Sequence, residues 1–288
     1  MSQIILNGFK LFFSVFGRLM PLTAMKAADK LFTSVPFSKR RDNEIALLES
    51  AEKFTVRMEN GHELAVYRWG DKADPVLLFV HGWTATATCF ALFIAHFTAS
   101  GYQVVSYDAI GHGSSSGRRT TVPNWADSIH AVNETIGPVR CMIGHSMGAM
   151  ALVMASKTEL ATQSLVLLSP ATDIHDFLRQ FADRLSLPPK MREAFPRYLW
   201  DKYHHIASKY GRDWGDVLIS RFQVPTLIIH DENDKEVSIE SARWLARRWP
   251  WAELVETQRL GHRRILLSRK TVSLVSEFLE KNDERVGV

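Results

Sequence analysis

Two hydrophobic rhythms run along the chain from residue 54 onward, and they predict different kinds of strand. Residues 54–58 and Glu63–Trp69 alternate apolar and polar side chains, the spacing of a strand with one buried face, and Asn60-Gly61 between them is a hairpin turn signal. After this pair come short, unbroken apolar runs at Val76–Val80, 102–107, 139–143, Leu165–Leu168 and 226–229, most of them separated by segments long enough for a helix. Unbroken runs suit strands buried on both faces, as parallel sheets require. Strand and helix in alternation therefore predict an α/β fold, a mostly parallel sheet with helices on both faces, whose ligand site lies beyond the carboxyl ends of the strands. Ala252–Thr257 reads as a further strand, no internal repeat is visible, and residues 280–288 are expected to form a frayed, solvated tail.

A third rhythm occupies the first twenty residues. Gln3, Asn7, Lys10, Ser14 and Arg18 recur three or four apart and share one helical face, leaving Phe9, Phe12, Phe13 and Phe16 to the other. This predicts an amphipathic helix within a helical segment of residues 1–40, rather than a transmembrane span. A secretory signal would need an uninterrupted apolar core and a small-residue cleavage site, but Lys10 interrupts the apolar stretch and Arg18-Leu19-Met20-Pro21 closes it. Three uses fit the pattern: packing on the protein's own body, peripheral membrane contact through residues 2–20, or binding a partner.

Composition narrows the function classes. The chain has 288 residues, 46% of them hydrophobic, enough for one sizeable core with an insertion. Lys and Arg total 35 against 31 Asp and Glu, so there is no general cationic excess to hold a phosphate backbone, and no nucleic-acid partner is expected. Cys89 and Cys141 are too few for a disulfide framework and too widely spaced for a redox or zinc pair, which suits a reducing, cytoplasmic compartment, with membrane association left open by the amphipathic helix. His204 and His205 would point apart on a helix, and no metal site is expected.

Chemistry concentrates at Gly144-His145-Ser146-Met147-Gly148, directly after an apolar strand and directly before the helix-forming run 149–157. A GxSxG pentapeptide in this setting marks a sharp strand-to-helix turn that holds a serine clear of the backbone, the glycines letting neighbouring segments approach. The Met147 N–H, at the amino end of the helix, would face an oxygen that becomes negative when a carbonyl is attacked. A nucleophilic serine needs a base, and the base needs an orienting carboxylate. Both follow in the chain: the strand at 226–229 runs into a segment holding Asp231 and Asp234, and the strand Ala252–Thr257 leads through Gly261 to His262, on a loop able to reach back over Ser146.

Across residues 54–280 these features, with three others, resemble the α/β-hydrolase family. His81-Gly82-Trp83 after the third strand is similar to the family's oxyanion loop, which makes the Trp83 N–H a second donor beside Met147. The segment from Asp108 to Ser114 resembles the family's DxxGxGxS turn, a structural feature with no catalytic step. Asp234, three residues before Val237, matches the family's acid position better than Asp231, and Gly261-His262 matches its Gly-His ending. The resemblance implies an α/β-hydrolase fold, with residues 41–172 and 223–288 as the core and 173–222 as a short helical cap. It further implies a serine carboxylesterase or lipase-like hydrolase acting on a small-molecule ester or acyl substrate through Ser146, His262 and Asp234, with no cofactor. Trp83 would wall the pocket, and Leu187, Phe195 and Trp200 in the cap would contact substrate, core packing being the competing use of each. An acyltransferase and a non-catalytic ligand-binding relative are the alternatives on the same scaffold; oligomeric state is not legible.

Overall fold

The computed structural model describes residues 3–36, 40–213 and 223–286, with side chains described through residue 282. The described residues fall into two compact units, one drawn from Met1–Ser34 and Asp173–Val217, the other from Val35–Thr172 and Leu218–Val288.

The larger unit is built on strands β1 (Glu52–Arg57), β2 (Glu63–Trp69), β3 (Val76–Val80), β4 (Gln103–Tyr107), β5 (Cys141–His145), β6 (Leu165–Leu168), β7 (Thr226–Asp231) and β8 (Ala252–Thr257), ordered β1-β2-β4-β3-β5-β6-β7-β8 in one sheet. β2 pairs antiparallel with both β1 and β4, and every pairing from β4 to β8 is parallel. The chain leaves β3 toward β4 on one side and then crosses to β5 on the other. The loops after β3 and β5 therefore part at a topological switch point, where an open α/β sheet leaves a crevice.

Alternation of side chains across the pleat divides the sheet's residues between two helical layers. Leu77, Phe79, Cys141, Ile143, Val166 and Ile229 face a core that also takes Phe90, Phe93 and Phe97, from and just before α4 (Ala91–Ala99), and Val275 and Leu279 from α11 (Arg269–Val286). On the opposite face, α5 (Val122–Ile136) packs on α6 (Met147–Ala155), which lies against β3, β5 and β6. Every residue of α6 is buried, which explains why its sequence is apolar all round and not amphipathic. α3 (Asp42–Glu49), α9 (Glu240–Arg248) and the single turn α10 (Gly261–Arg264) complete the unit.

Two expectations need correcting. β5 starts at Cys141 rather than 139, because Val139, just after the Gly137-Pro138 turn, makes only an isolated bridge to Thr162. The strand instead extends through the buried His145. The tail expected from residue 280 is the last part of α11, which continues as helix to Val286; Asn282 is buried there and its amide donates to the Phe278 carbonyl.

The smaller unit holds α1 (Gln3–Leu19), α2 (Pro21–Thr33), α7 (Ile174–Arg184) and α8 (Pro189–Ala207). Gly17 lets α1 close on α8, since a Cβ there would meet the Pro188 ring at 2.8 Å. α2 is tied to α8 through the buried Asp29, whose carboxylate accepts hydrogen bonds from Lys202 and, at 2.7 Å, from the Tyr203 hydroxyl. Phe32 of α2 packs its ring against Phe177, Phe181 and Phe195.

One buried carboxylate ties the amino-terminal part of the larger unit together. Asp108, at the end of β4, accepts from the Ala87 N–H at 2.9 Å, the Ser114 N–H at 2.8 Å, the Tyr67 hydroxyl at 3.1 Å and the Arg40 guanidinium. The chain closes over it at Gly113, where φ is +49° and a Cβ would sit 2.0 Å from the carboxylate oxygen. Removing one partner of a buried ion pair leaves a charge in a poor solvent. Arg40→Ala should therefore lower the free energy of urea unfolding by about 3 kcal/mol or more. Arg57→Ala, which breaks an exposed pair with Glu63, should cost less than about 1 kcal/mol. Equal effects of the two would contradict this account of Asp108.

Candidate active site

The residues around Ser146 are held by backbone contacts before any side chain is considered. Ser146 has φ +54° and ψ −116°, a conformation that costs a non-glycine residue about 1–3 kcal/mol. Bonds on both sides hold it there: its N–H donates to the Leu168 carbonyl at 2.9 Å and its carbonyl accepts from the Met150 N–H at 3.0 Å. Steric closeness accounts for the neighbouring glycines. A Cβ on Gly144 would lie 2.8 Å from the Ala149 backbone, and one on Gly148 would lie 2.3 Å from the carbonyl oxygens of Val80 and His81.

The same closeness brings in the loop after β3. A Cβ on Gly82 would be 3.1 Å from the Ser146 Cβ. The Gly82 carbonyl accepts from His81 Nδ1 at 2.8 Å and from the Ala85 N–H at 3.1 Å, while His81 Nε2 accepts from the Ala109 N–H. Because a trans peptide points its C=O and N–H in opposite directions, these bonds turn the Trp83 N–H away from His81 and Ala85. Met147 opens α6, so its N–H has no acceptor within the helix. The Trp83 ring is half-buried, with an edge contact to His112 and a tilted one to Trp125.

Ser146, His262 and Asp234 meet at the carboxyl end of the sheet. His262 Nδ1 lies 2.7 Å from Asp234 Oδ2, and His262 Nε2 lies 2.8 Å from Ser146 Oγ. A carboxylate only accepts, so Nδ1 carries the proton and Nε2 offers its lone pair to the serine hydroxyl. The Asp234 side chain is fully buried. Burial by itself would raise its pKa, but hydrogen bonds from His230, His262 and the Val237 N–H outweigh that and hold it well below the usual carboxylate range. Its other oxygen accepts from the Glu236 and Val237 N–H groups at 2.8 and 2.9 Å.

Asp231 is directed elsewhere. Its carboxylate accepts from the Thr257 hydroxyl and the Leu260 N–H, both at 2.9 Å, and from the Asn233 N–H at 3.0 Å, binding the loop after β8 to the loop after β7. Two further histidines reach this site without a motif of their own to mark them. His145 Nε2 donates to the His262 carbonyl at 2.9 Å, and the two rings lie 4.9 Å apart between centroids. Buried His230 sends Nε2 to the Val237 carbonyl at 3.1 Å and reaches Asp234 Oδ2 at 3.3 Å. The one available signal was position: His145 inside the serine motif, and His230 at the end of β7.

The smaller unit contains the remaining candidates. Leu187 and Phe195 are buried, Phe195 stacking on Phe181 of the same unit, and Trp200 is half-buried on α8. Among the described residues no cluster of His, Cys, Asp and Glu could hold a metal ion.

Comparison with known proteins agrees with this geometry at the level of family and fold. The model of the Alpha/beta hydrolase family matches residues 77–272. A bifunctional esterase/perhydrolase from Acinetobacter calcoaceticus is 30% identical over 96 residues, 32% of this chain and only 35% of that protein's length. The AB hydrolase superfamily protein YisY from Bacillus subtilis is 24% identical over 247 residues, covering 70% of this chain and 90% of its own. Among solved structures, an esterase from Pyrococcus furiosus superposes with a TM-score of 0.65 at 20% identity, over 86% of this chain and 98% of that one, a likeness of fold.

The buried rings make stability depend on pH. Burial first, and then the neighbouring His262, push His145 down to about 3; burial and His81 push His112 down to about 3. Both fold as neutral imidazoles, whereas an unfolded histidine titrates near 6.5. Protons therefore bind the unfolded chain, so this stability is fully present above about pH 6.5 and is lost as pH falls toward 3. In urea titrations each ring should remove about 1.4 kcal/mol per pH unit inside that window. His145→Gln, which keeps a donor for the His262 carbonyl, should reduce the slope by that amount; an unchanged slope would mean that His145 is charged in the fold.

Proposed function

This chain belongs to the alpha/beta hydrolase family, and on that premise we propose that it is a serine hydrolase cleaving carboxylic esters through an acyl-enzyme intermediate. The observation that carries the reading is the unbroken line Ser146 Oγ, His262 Nε2, His262 Nδ1 and Asp234 Oδ2, with separations of 2.8 and 2.7 Å. In this mechanism Ser146 Oγ attacks the ester carbonyl carbon while His262 Nε2 takes its proton. The carbonyl oxygen becomes an oxyanion held by the Met147 and Trp83 N–H groups, and the amino end of α6 favours its charge. Collapse breaks the ester bond, and the alcohol leaves with the proton from His262. Water then attacks the acyl-serine, gives a proton to His262 and releases the acid, after which Ser146 recovers its hydrogen.

Asp234 keeps the imidazole in the tautomer that leaves Nε2 bare and stabilises the imidazolium formed during each proton transfer. Its depressed pKa keeps it ionised, and so an acceptor, throughout the range in which an imidazole can act as base. The esterase relatives and the partial exposure of Trp83 beside Gly82 support an ester substrate lying against that ring. Leu187 and Phe195 are assigned to packing, and substrate contact is not proposed for them.

Purified protein should hydrolyse a chain-length series of p-nitrophenyl esters, and Ser146→Ala, folded by circular dichroism, should lose that turnover. Asp234→Asn should lower kcat by about three to four orders of magnitude, because the amide turns the imidazole to the wrong tautomer. Asp231→Asn should act mainly on stability. A fluorophosphonate probe should label Ser146 in the native protein and not in the Ser146→Ala variant, giving a readout that needs no knowledge of the substrate. Ester turnover that survives in Ser146→Ala would overturn the mechanism.

A further inference from the structure

α1 has three faces. With about 100° between successive residues, Phe13 and Gly17 turn inward, Asn7, Ser14 and Arg18 make a polar edge, and Ile4, Leu11, Val15 and Leu19 form a stripe along the remaining side. Phe13 and Gly17 are buried, whereas Ile4, Leu11 and Leu19 are 84%, 67% and 73% exposed. Leu22, at the start of α2, extends the stripe with 77% exposure. Apolar side chains scattered singly over a surface are ordinary, but a continuous stripe on one helix marks a contact surface.

Charge decides what kind of surface it is. Within Gln3–Leu19 and Pro21–Thr33 the only acid is Asp29, which is buried and turned onto Lys202 and Tyr203. Arg18, Lys26 and Lys30 are exposed, the last two one turn apart on α2. Between the helices lies a groove of about 290 Å³ lined by Phe9, Phe12, Phe13, Ala27 and Leu31, with Lys30 among its walls. No described helix is long and apolar enough to cross a membrane. The arrangement is that of a helix lying in an interface, with an apolar face, a polar edge and cations positioned for phosphates.

We propose that α1 and α2 form a docking surface for an anionic lipid bilayer. Ile4, Leu11, Val15, Leu19 and Leu22 enter the acyl boundary, Arg18, Lys26 and Lys30 meet lipid phosphates, and the groove takes the end of an acyl chain. A second copy of the chain is a poorer occupant, because a two-fold contact would bring the same cations to the same place.

Vesicle flotation of the full chain tests this without reference to catalysis, so its outcome is separate from the hydrolase reading. Vesicles of phosphatidylcholine mixed with phosphatidylglycerol should carry the protein up, vesicles of phosphatidylcholine alone should do so less, and added salt should weaken the binding. Leu11→Ser with Leu19→Ser should weaken it about tenfold or more, with an unchanged unfolding midpoint because both side chains are already in water. Lys26→Gln with Lys30→Gln should weaken binding to the charged vesicles by about tenfold or more and leave the uncharged ones unaffected. Wild-type protein that stays with the dense fraction, or a leucine variant that floats as well as wild type, would overturn the proposal. So would a dimer by light scattering that becomes a monomer in the leucine variant with no vesicle binding by either, since that result assigns the stripe to a second copy.

Discussion

Backbone packed directly on backbone at Gly148 is the constraint on which the reactive end of the sheet depends. With the Val80 and His81 carbonyls 2.3 Å from where a Cβ would stand, α6 can start beside the end of β3 only if residue 148 has no side chain. That approach brings together two loops whose strands are neighbours in the sheet but lie some sixty positions apart in the chain. Gly82 then closes to within 3.1 Å of the Ser146 Cβ, again measured from an absent side chain. The glycines thus act by what they lack, and the donors proposed for the site, the Met147 and Trp83 N–H groups, are main-chain groups whose positions follow from packing instead of from rotamers.

The acid side of the site is organised by hydrogen bonds. Asp231 and Asp234 lie on one short segment, yet one gathers the Leu260 N–H and the Thr257 hydroxyl while the other meets the imidazole of His262. The two hold His262 by different routes, the first through the backbone leading to it and the second through its ring. His145 adds a third hold by donating to the His262 carbonyl. The ring therefore sits on a backbone anchored from two strands, β5 and β7.

Much of this was legible in the sequence because burial on both faces leaves no polar positions in a strand. That made Val76–Val80 and Leu165–Leu168 readable to the residue, while 226–229 stops two short of the end of β7, at the polar His230 and Asp231; the GxSxG motif gained its meaning from the strand before it and the helix after it. The end of β5 was less legible, since His145 is polar by type, yet its backbone stays in register with Leu168 of β6 while its ring, buried, bonds to the His262 carbonyl. Asp231 and Asp234 differ in nothing that residue type or local spacing records; a family pattern ranked them, and the geometry of two loops separates their bonds. Leu187 and Phe195 show the reverse case, where apolar character identifies burial without saying whether the neighbour is a ligand or another side chain. The continuation of α11 beyond residue 280 was hidden by its charges, because Leu279 and Asn282 acquire their burial only from the folded unit.

The bond from Lys202 to Asp29 spans 173 residues of chain, and Phe32 waits on partners almost as distant, Phe177, Phe181 and Phe195. A ribosome adding about 5–20 residues per second needs on the order of ten to thirty seconds to travel that distance. Throughout that interval α1 and α2 have emerged but α8 has not, so Phe32 lacks the ring of Phe195, and the carboxylate of Asp29 lacks Lys202 and Tyr203. The larger unit is completed last, with β7, β8 and α11, but the smaller unit is also completed only after β1 to β6 have been made, although α1 and α2 precede them. Its amphipathic helices must be kept from other apolar surfaces while the strands from β1 to β6 are synthesised between them and their partner.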